Sequence, residues 1–193
     1  MPATANQVRI IGGRHRGRRL GFSAGCGLRP TPDRVRETLF NWLQTEIHGA
    51  RCLDLFAGSG ALGLEALSRG ASALLAVEQN RAAAQRLREN ITLLNEQAAA
   101  EVLQRDALSL LARRPAVPFG IVFLDPPFAR ELLVPACRLL ENNHWLAPEA
   151  WIYLEQDAVR PWPELPPNWS LHREGRAGQS AQRLLRRNSP ARI

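Results

Sequence analysis

The sequence predicts an α/β fold: a mostly parallel sheet covered by helices on both faces and closed by an antiparallel hairpin. Three observations predict it. From residue 51 onward, short apolar runs alternate with segments of helical period. The runs are nearly continuous in apolar character, as in strands buried on both faces of a parallel sheet. The last two runs, 169–176 and 179–187, flank Gly178 and read as two antiparallel strands joined by a tight turn.

The elements follow in order. Val8-Arg9-Ile10-Ile11 and Leu20-Gly21-Phe22 read as two short strands around a basic turn, Gly12-Gly13-Arg14-His15-Arg16-Gly17-Arg18-Arg19. Glycines at both ends permit a tight turn, and His15 is expected to be solvated. A helix then opens at Thr31-Pro32, with Thr31 suited to the N-cap and Pro32 to the first helical position. Val35, Leu39, Trp42 or Leu43, and Ile47 form its packing face; Arg34, Arg36 and Asn41 lie off that face and are free to meet a ligand. Strands are expected at 52–56, 73–77, 100–103, 119–124 and 151–154, with helices at 60–69, 80–95, 107–113 and 132–140. Pro161-Trp162-Pro163 and Pro166-Pro167 mark an irregular connection to the closing hairpin.

Charge narrows the function. All 25 basic residues are arginine. Residues 1–36 hold eight arginines and one acid, a net +7, which equals the charge of the whole chain. Residues 173–193 add +5, and the middle of the chain is acidic by the same amount. Basic ends on an acidic body point to a polyanionic partner. Guanidinium groups bind phosphate bidentately and stack on bases, so Arg14, Arg16, Arg18 and Arg19, with His15 beside them, are the candidate nucleic-acid contacts. No apolar run approaches the ~20 residues of a membrane span, and no apolar signal core is seen, so the cytoplasm is the expected location. Cys26, Cys52 and Cys137 lack metal-ligand spacing. Cys52 and Cys137 read as small buried hydrophobes and Cys26 as a loop residue.

The first strand of the alternating region ends in Asp54-Leu55-Phe56-Ala57-Gly58-Ser59-Gly60-Ala61-Leu62-Gly63. Gly58, Gly60 and Gly63 have the spacing of a dinucleotide fingerprint, which lets the backbone approach a ligand closely. Glu78 ends the next strand, 20 residues after Gly58, where a carboxylate accepts bonds from ribose hydroxyls; Gln79 follows it. The fingerprint alone also fits a nicotinamide cofactor. Two acids favour S-adenosylmethionine. Asp54 stands where it can bind the methionine ammonium, and Asp106-Ala107 where an acid can accept from the adenine amine. Asp106 equally suits a helix N-cap.

The apolar run 119–124 ends in Asp125-Pro126-Pro127-Phe128. The prolines force a stiff, extended exit from the strand. They present a carboxylate, free carbonyls and a ring at the sheet edge where ligands bind in open α/β folds. An exocyclic amine is a poor nucleophile because its lone pair is delocalised into the ring. Acceptors on its N–H groups, from Asp125 and the Pro126 carbonyl, can localise that pair while Phe128 stacks on the base. A base within a helix cannot reach such a site and must be unpaired or flipped out.

Asp125-Pro126-Pro127-Phe128 resembles the aspartate-proline-proline-aromatic motif of amino-group methyltransferases. With the segment from Arg29-Pro30-Thr31-Pro32 to Asn41-Trp42, Arg9-Ile10-Ile11-Gly12-Gly13 and the glycine loop, the chain resembles bacterial 16S ribosomal RNA guanine-N2 methyltransferases of the small-subunit methyltransferase D family, over about 8–187. The resemblance implies a class I S-adenosylmethionine-dependent methyltransferase (Rossmann-like) fold with a seven-stranded sheet and an antiparallel last hairpin. It implies a basic hairpin extension over 1–28 and a methyltransferase domain over 29–193. It further implies methylation of one guanine N2 of 16S ribosomal RNA in the assembled small subunit, by a monomer. The cofactor site would comprise Asp54, Phe56, Ala57, Gly58, Ser59, Gly60, Glu78, Gln79, Asp106 and Ala107, with Thr31 and Arg36 near its methionine end. Gln182 and Leu185 depart from the bulkier aromatic residues expected there. Two other readings stand beside this one: an adenine-N6 methyltransferase acting on DNA or RNA, and a ribosome-assembly factor that only binds RNA.

Overall fold

The computed structural model of the protein describes residues 6–22, 31–128 and 131–188; Cys26, Arg29 and Pro30 lie outside them. Five strands run parallel: β3 (Arg51–Asp54), β4 (Ala73–Val77), β5 (Ala100–Leu103), β6 (Phe119–Leu124) and β7 (Leu146–Asp157). The closing hairpin, β8 (Trp169–Ala177) and β9 (Ser180–Arg187), joins them antiparallel, β9 against β7. The sheet order is β5-β4-β3-β6-β7-β9-β8. The chain therefore builds outward from β3 in one direction and from β6 in the other, and the order reverses between them.

Central strands are apolar on both faces because both faces are covered. Cys52, Ile121, Phe123, Tyr153 and Leu184 pack in one core with α1 (Asp33–Trp42), α2 (Ala61–Ser68) and α3 (Arg81–Leu93). Leu53, Val122, Leu124, Leu154 and Leu185 pack in a second core with α4 (Ala107–Leu111) and α5 (Leu133–Asn142). Cys52 and Cys137 are buried, as their apolar surroundings predicted. No helix among the described residues is long and apolar enough to cross a membrane.

Three expectations about the elements need correction. Thr31 is not the cap of α1. Pro32 takes that place in extended backbone, and no side chain caps the helix, because the Thr31 hydroxyl is drawn elsewhere. α1 ends at Trp42, and Leu43 and Ile47 are buried in the turns that follow. β7 is far longer than 151–154. Pro148 and Glu149, the latter at φ 60°, break the sequence pattern, but the ladder to β6 resumes after a register shift.

β1 (Gln7–Arg9) and β2 (Arg19–Gly21) form a separate two-stranded sheet. Its apolar side chains Val8, Ile10 and Leu20 belong to the first core. Gly13 makes this docking possible. At φ +75° it lies so close to α2 that a Cβ would sit 1.9 Å from the Ser68 carbonyl oxygen. Glu65, wholly buried on α2, anchors the seam: it accepts from the Ile11 and Gly12 amides, both at 2.8 Å, and from Arg69 Nε at 2.7 Å. His15 is not merely solvated. Its ring contacts Glu96 at 2.5 Å, and Arg14 meets the same carboxylate at 2.7 Å. A glutamate 81 positions away in sequence is satisfied here by a loop the sequence alone left open to water.

Candidate active site

The site lies at the C-terminal edge of the sheet, at the reversal between β3 and β6, where open α/β sheets bind ligands. Asp54 ends β3 and pairs in register with Phe123, two residues before Asp125. Side chains alternate along a strand, so Asp54 projects to the same face as Cys52, the side of α1. Its carboxylate is 2% exposed and accepts from the Gly63 amide at 3.0 Å. Burial pushes its pKa up to about 7, with Glu78 repulsion adding to the rise.

The glycine loop wraps this carboxylate. Gly60 caps α2 at φ +78°, and a Cβ there would sit 2.5 Å from Leu87. Ala57, Ser59 and Gly60 are buried, and Phe56 is half-buried. Glu78 ties the loop to the end of β4: Gly58 N donates to it at 2.9 Å and Asn80 N at 2.6 Å. Each oxygen keeps a lone pair for a further donor. Gln79 beside it is exposed. Asp106, exposed at the entry to α4, accepts from the Ser109 amide at 2.8 Å and is the N-cap of that helix. One of its oxygens remains for another donor; Ala107 behind it is buried.

Asp125 leaves β6 half-buried, followed by buried Pro126, exposed Pro127 and half-buried Phe128. The Thr31 hydroxyl donates to Asp125 Oδ2 at 3.1 Å, which is why it does not cap α1. Burial holds the Asp125 carboxyl well above the usual carboxylate range; Glu155 and Asp54 repulsion add to this and the Thr31 bond opposes it. Arg36 does not face a ligand as its position off the packing face suggested. At 1% exposure it is enclosed, with Nε on the Thr31 carbonyl at 3.2 Å and its guanidinium 2.6 Å from Asp33 and 3.5 Å from Glu65. A polar chain thus runs from the hairpin amides through Glu65, Arg36 and Thr31 to Asp125. Beside it, Gln7, Arg9, Arg19, Thr31, Asp33 and Arg36 line a cleft of about 360 Å³ between hairpin and α1.

Sequence reasoning missed Glu155. It is 3% exposed near the end of β7, accepting from Tyr153 at 2.8 Å and Ser180 at 2.6 Å. Gln182, opposite it in register, donates to Ser180. The signal was present: the apolar runs of β3, β6 and β7 each lead into an acid, Asp54, Asp125 and Glu155. Among the described residues, no cation pairs with Asp54, Asp125 or Glu155. Buried carboxylates without a cation are costly, and a positively charged ligand resolves that cost.

The fold is that of the class I S-adenosylmethionine-dependent methyltransferases. A family model described as conserved hypothetical protein 95 matches residues 8–186. Ribosomal RNA small subunit methyltransferase D of Escherichia coli strain K12 is 53% identical over 96% of this chain and 92% of its own. The protein of the same name from Haemophilus influenzae is 45% identical over 95% of both. The solved Escherichia coli protein yhhF superposes with a TM-score of 0.87 at 53% identity, covering 95% of this chain and 99% of that one. The chain belongs to the ribosomal RNA small subunit methyltransferase D family.

Proposed function

We propose that the protein transfers the methyl group of S-adenosylmethionine to the exocyclic N2 of one guanine in 16S ribosomal RNA, within the assembled small subunit. The observation that carries this reading is the juxtaposition of Asp54 and Asp125 at the sheet reversal, one acid for the cofactor and one for the amine. The names of the relatives, which act on small-subunit ribosomal RNA, supply the substrate class.

The cofactor contributes an activated methyl; the chain contributes position and electrostatics. Asp54 holds the methionine ammonium, the loop Phe56–Ala57–Gly58–Ser59–Gly60 gives backbone contact, Glu78 and Gln79 meet the ribose, and Asp106 and Ala107 meet the adenine. Thr31 orients Asp125, and Arg36 orients Thr31. Asp125 and the Pro126 carbonyl accept from the target amine, Pro127 stiffens the exit from β6, and Phe128 stacks on the flipped base. Arg16, Arg18 and Arg19, exposed on the hairpin, hold phosphates, with Arg14 and His15 fixed beside them on Glu96. The cleft between hairpin and α1 leads from Arg19 and Arg9 to Thr31. The hairpin over 1–28 serves as the RNA-binding extension of the methyltransferase domain 29–193, and the protein works as a cytoplasmic monomer.

Labelled-methyl transfer to small subunits, naked 16S RNA and DNA in parallel, followed by nucleoside analysis, tests this. N2-methylguanosine from small subunits is expected. N6-methyladenine in any arm would replace the reading with an adenine methyltransferase, and cofactor binding without transfer to any arm would remove it.

A further inference from the structure

We propose that Glu155, ordered by Tyr153, Ser180 and Gln182, is a positioning residue whose charge sets the proton affinity of Asp125 during methyl transfer. The inference rests on the role given to Asp125 above and adds a residue that role does not require.

The placement is fixed by the sheet. Leu124 and Leu154 are register partners in the parallel β6–β7 pair. Asp125 and Glu155 are the next residues on each, and both follow, at a spacing of two, side chains of the α1-side core, Phe123 and Tyr153. Among the described residues, the groups that face Asp125 are therefore few. The element before α1 gives the Thr31 hydroxyl, β3 gives Asp54, and β7 gives Glu155 with the Tyr153 phenol bonded to it. No cation among the described residues stands between them. Glu155 is held by two hydroxyl donors, and the nearer of these, Ser180, is itself held by Gln182. An apolar strand end that needed only packing has no use for a glutamate requiring three polar neighbours.

The reaction supplies a use. The bond from sulfur to methyl breaks with its electron pair left on sulfur, the nitrogen lone pair forms the new N–C bond, and the nitrogen then carries one proton too many. Asp125 accepts that proton and passes it to solvent. A second carboxylate beside it makes Asp125 the stronger base, and its negative field favours positive charge moving from sulfur toward nitrogen. The two carboxyls titrate as a pair. Burial also keeps Glu155 above the usual carboxylate range, opposed by the Ser180 and Tyr153 bonds.

The test is Glu155→Gln, which keeps shape while removing charge, with Tyr153→Phe as a milder second variant. In single-turnover methyl transfer to small subunits never exposed to the enzyme, the acid limb of the pH–rate profile should move to lower pH by roughly one unit in Glu155→Gln. The same shift, smaller, is expected in Tyr153→Phe, which weakens the hold on the Glu155 charge. A second readout needs no cofactor. Carboxyls with raised folded-state pKa values bind protons more tightly than in the unfolded chain. Stability of the cofactor-free protein therefore falls as pH rises above the ordinary carboxylate range, and Glu155→Gln should flatten that fall. Lower activity with an unmoved acid limb and an unchanged stability slope would reduce Glu155 to a packing role. Were Asp125→Asn as active as the parent, the role of Asp125 itself would fail, a different outcome from a still Glu155 profile.

Discussion

Two regions of this molecule hold buried and half-buried carboxylates, and they are built on opposite terms. Along the seam where the N-terminal hairpin docks, every acid is saturated. Glu65 receives two amides and two guanidiniums, Glu96 receives Arg14 and His15, and Asp33 receives Arg9 and Arg36. Burial alone would raise the Asp33 carboxyl, but the two arginines hold it below its ordinary value. Along the sheet edge, Asp54, Asp125 and Glu155 receive only amides and hydroxyls, and all three are held above theirs. The chain has arginines in plenty, and among the described residues none pairs with these three acids. A saturated carboxylate needs nothing more; on the reading proposed above, Asp54, held by neutral donors alone, meets the cofactor's ammonium. Arg36 joins the regions, since it is anchored on Glu65 and donates to the Thr31 carbonyl.

The contrast breaks most visibly at Glu65. Glu65→Ala takes from buried Arg36 one of its two acids, removes the Arg69 pair and leaves two hairpin amides without their acceptor, so a loss of about 3–5 kcal/mol in chemical denaturation is expected. A neutral result would mean the seam is not what the charges suggest. At the edge the same kind of deletion should spare stability and remove chemistry. Asp125→Ala should lower methyl transfer by roughly 10²–10³ while calorimetry still detects cofactor binding. Asp54→Asn takes the comparison further. Because the folded pKa of Asp54 is about 7, the folded state binds the extra proton between the ordinary carboxylate range and neutrality. Stability thus drops as pH rises through that window and is level above it. Above about pH 8 the variant should therefore be more stable than the parent by roughly 1–3 kcal/mol, and should lose cofactor binding. The smallest effect belongs to the exposed hairpin: alanine at Arg16 and Arg18 should lower the salt dependence of RNA binding by about one log–log unit for each phosphate contact removed. An unchanged slope would take the hairpin off the RNA surface.

What the sequence discloses divides along the same line. The edge is legible because its chemistry is local. Asp54 to Gly63 and Asp125 to Phe128 are contiguous, and their turns follow from glycine and proline. The seam is not legible, since Glu65 and Glu96 find their hairpin partners across dozens of residues, through the angle at which hairpin and α1 meet α2. Thr31 shows the mechanism of failure. Its local preference is to cap a helix, yet the packing of α1 brings Asp125 within reach and the hydroxyl goes there. Asp106 shows the opposite case, where the local preference prevailed and the acid is a helix cap. Glu155 was hidden for a third reason: the apolar run stops at Leu154, and only the ladder to β9 carries β7 on through the acid.

The most direct test of an edge built for an incoming cation is the proton balance of S-adenosylmethionine binding. Titration calorimetry near pH 7, repeated in two buffers of different ionisation enthalpy, measures it. An ammonium placed against Asp54 lowers that carboxyl's pKa, so binding should release a proton, tighten as pH rises through about 7, and lose both features in Asp54→Asn. Binding that leaves the proton count unchanged, or that takes a proton up, would contradict the account.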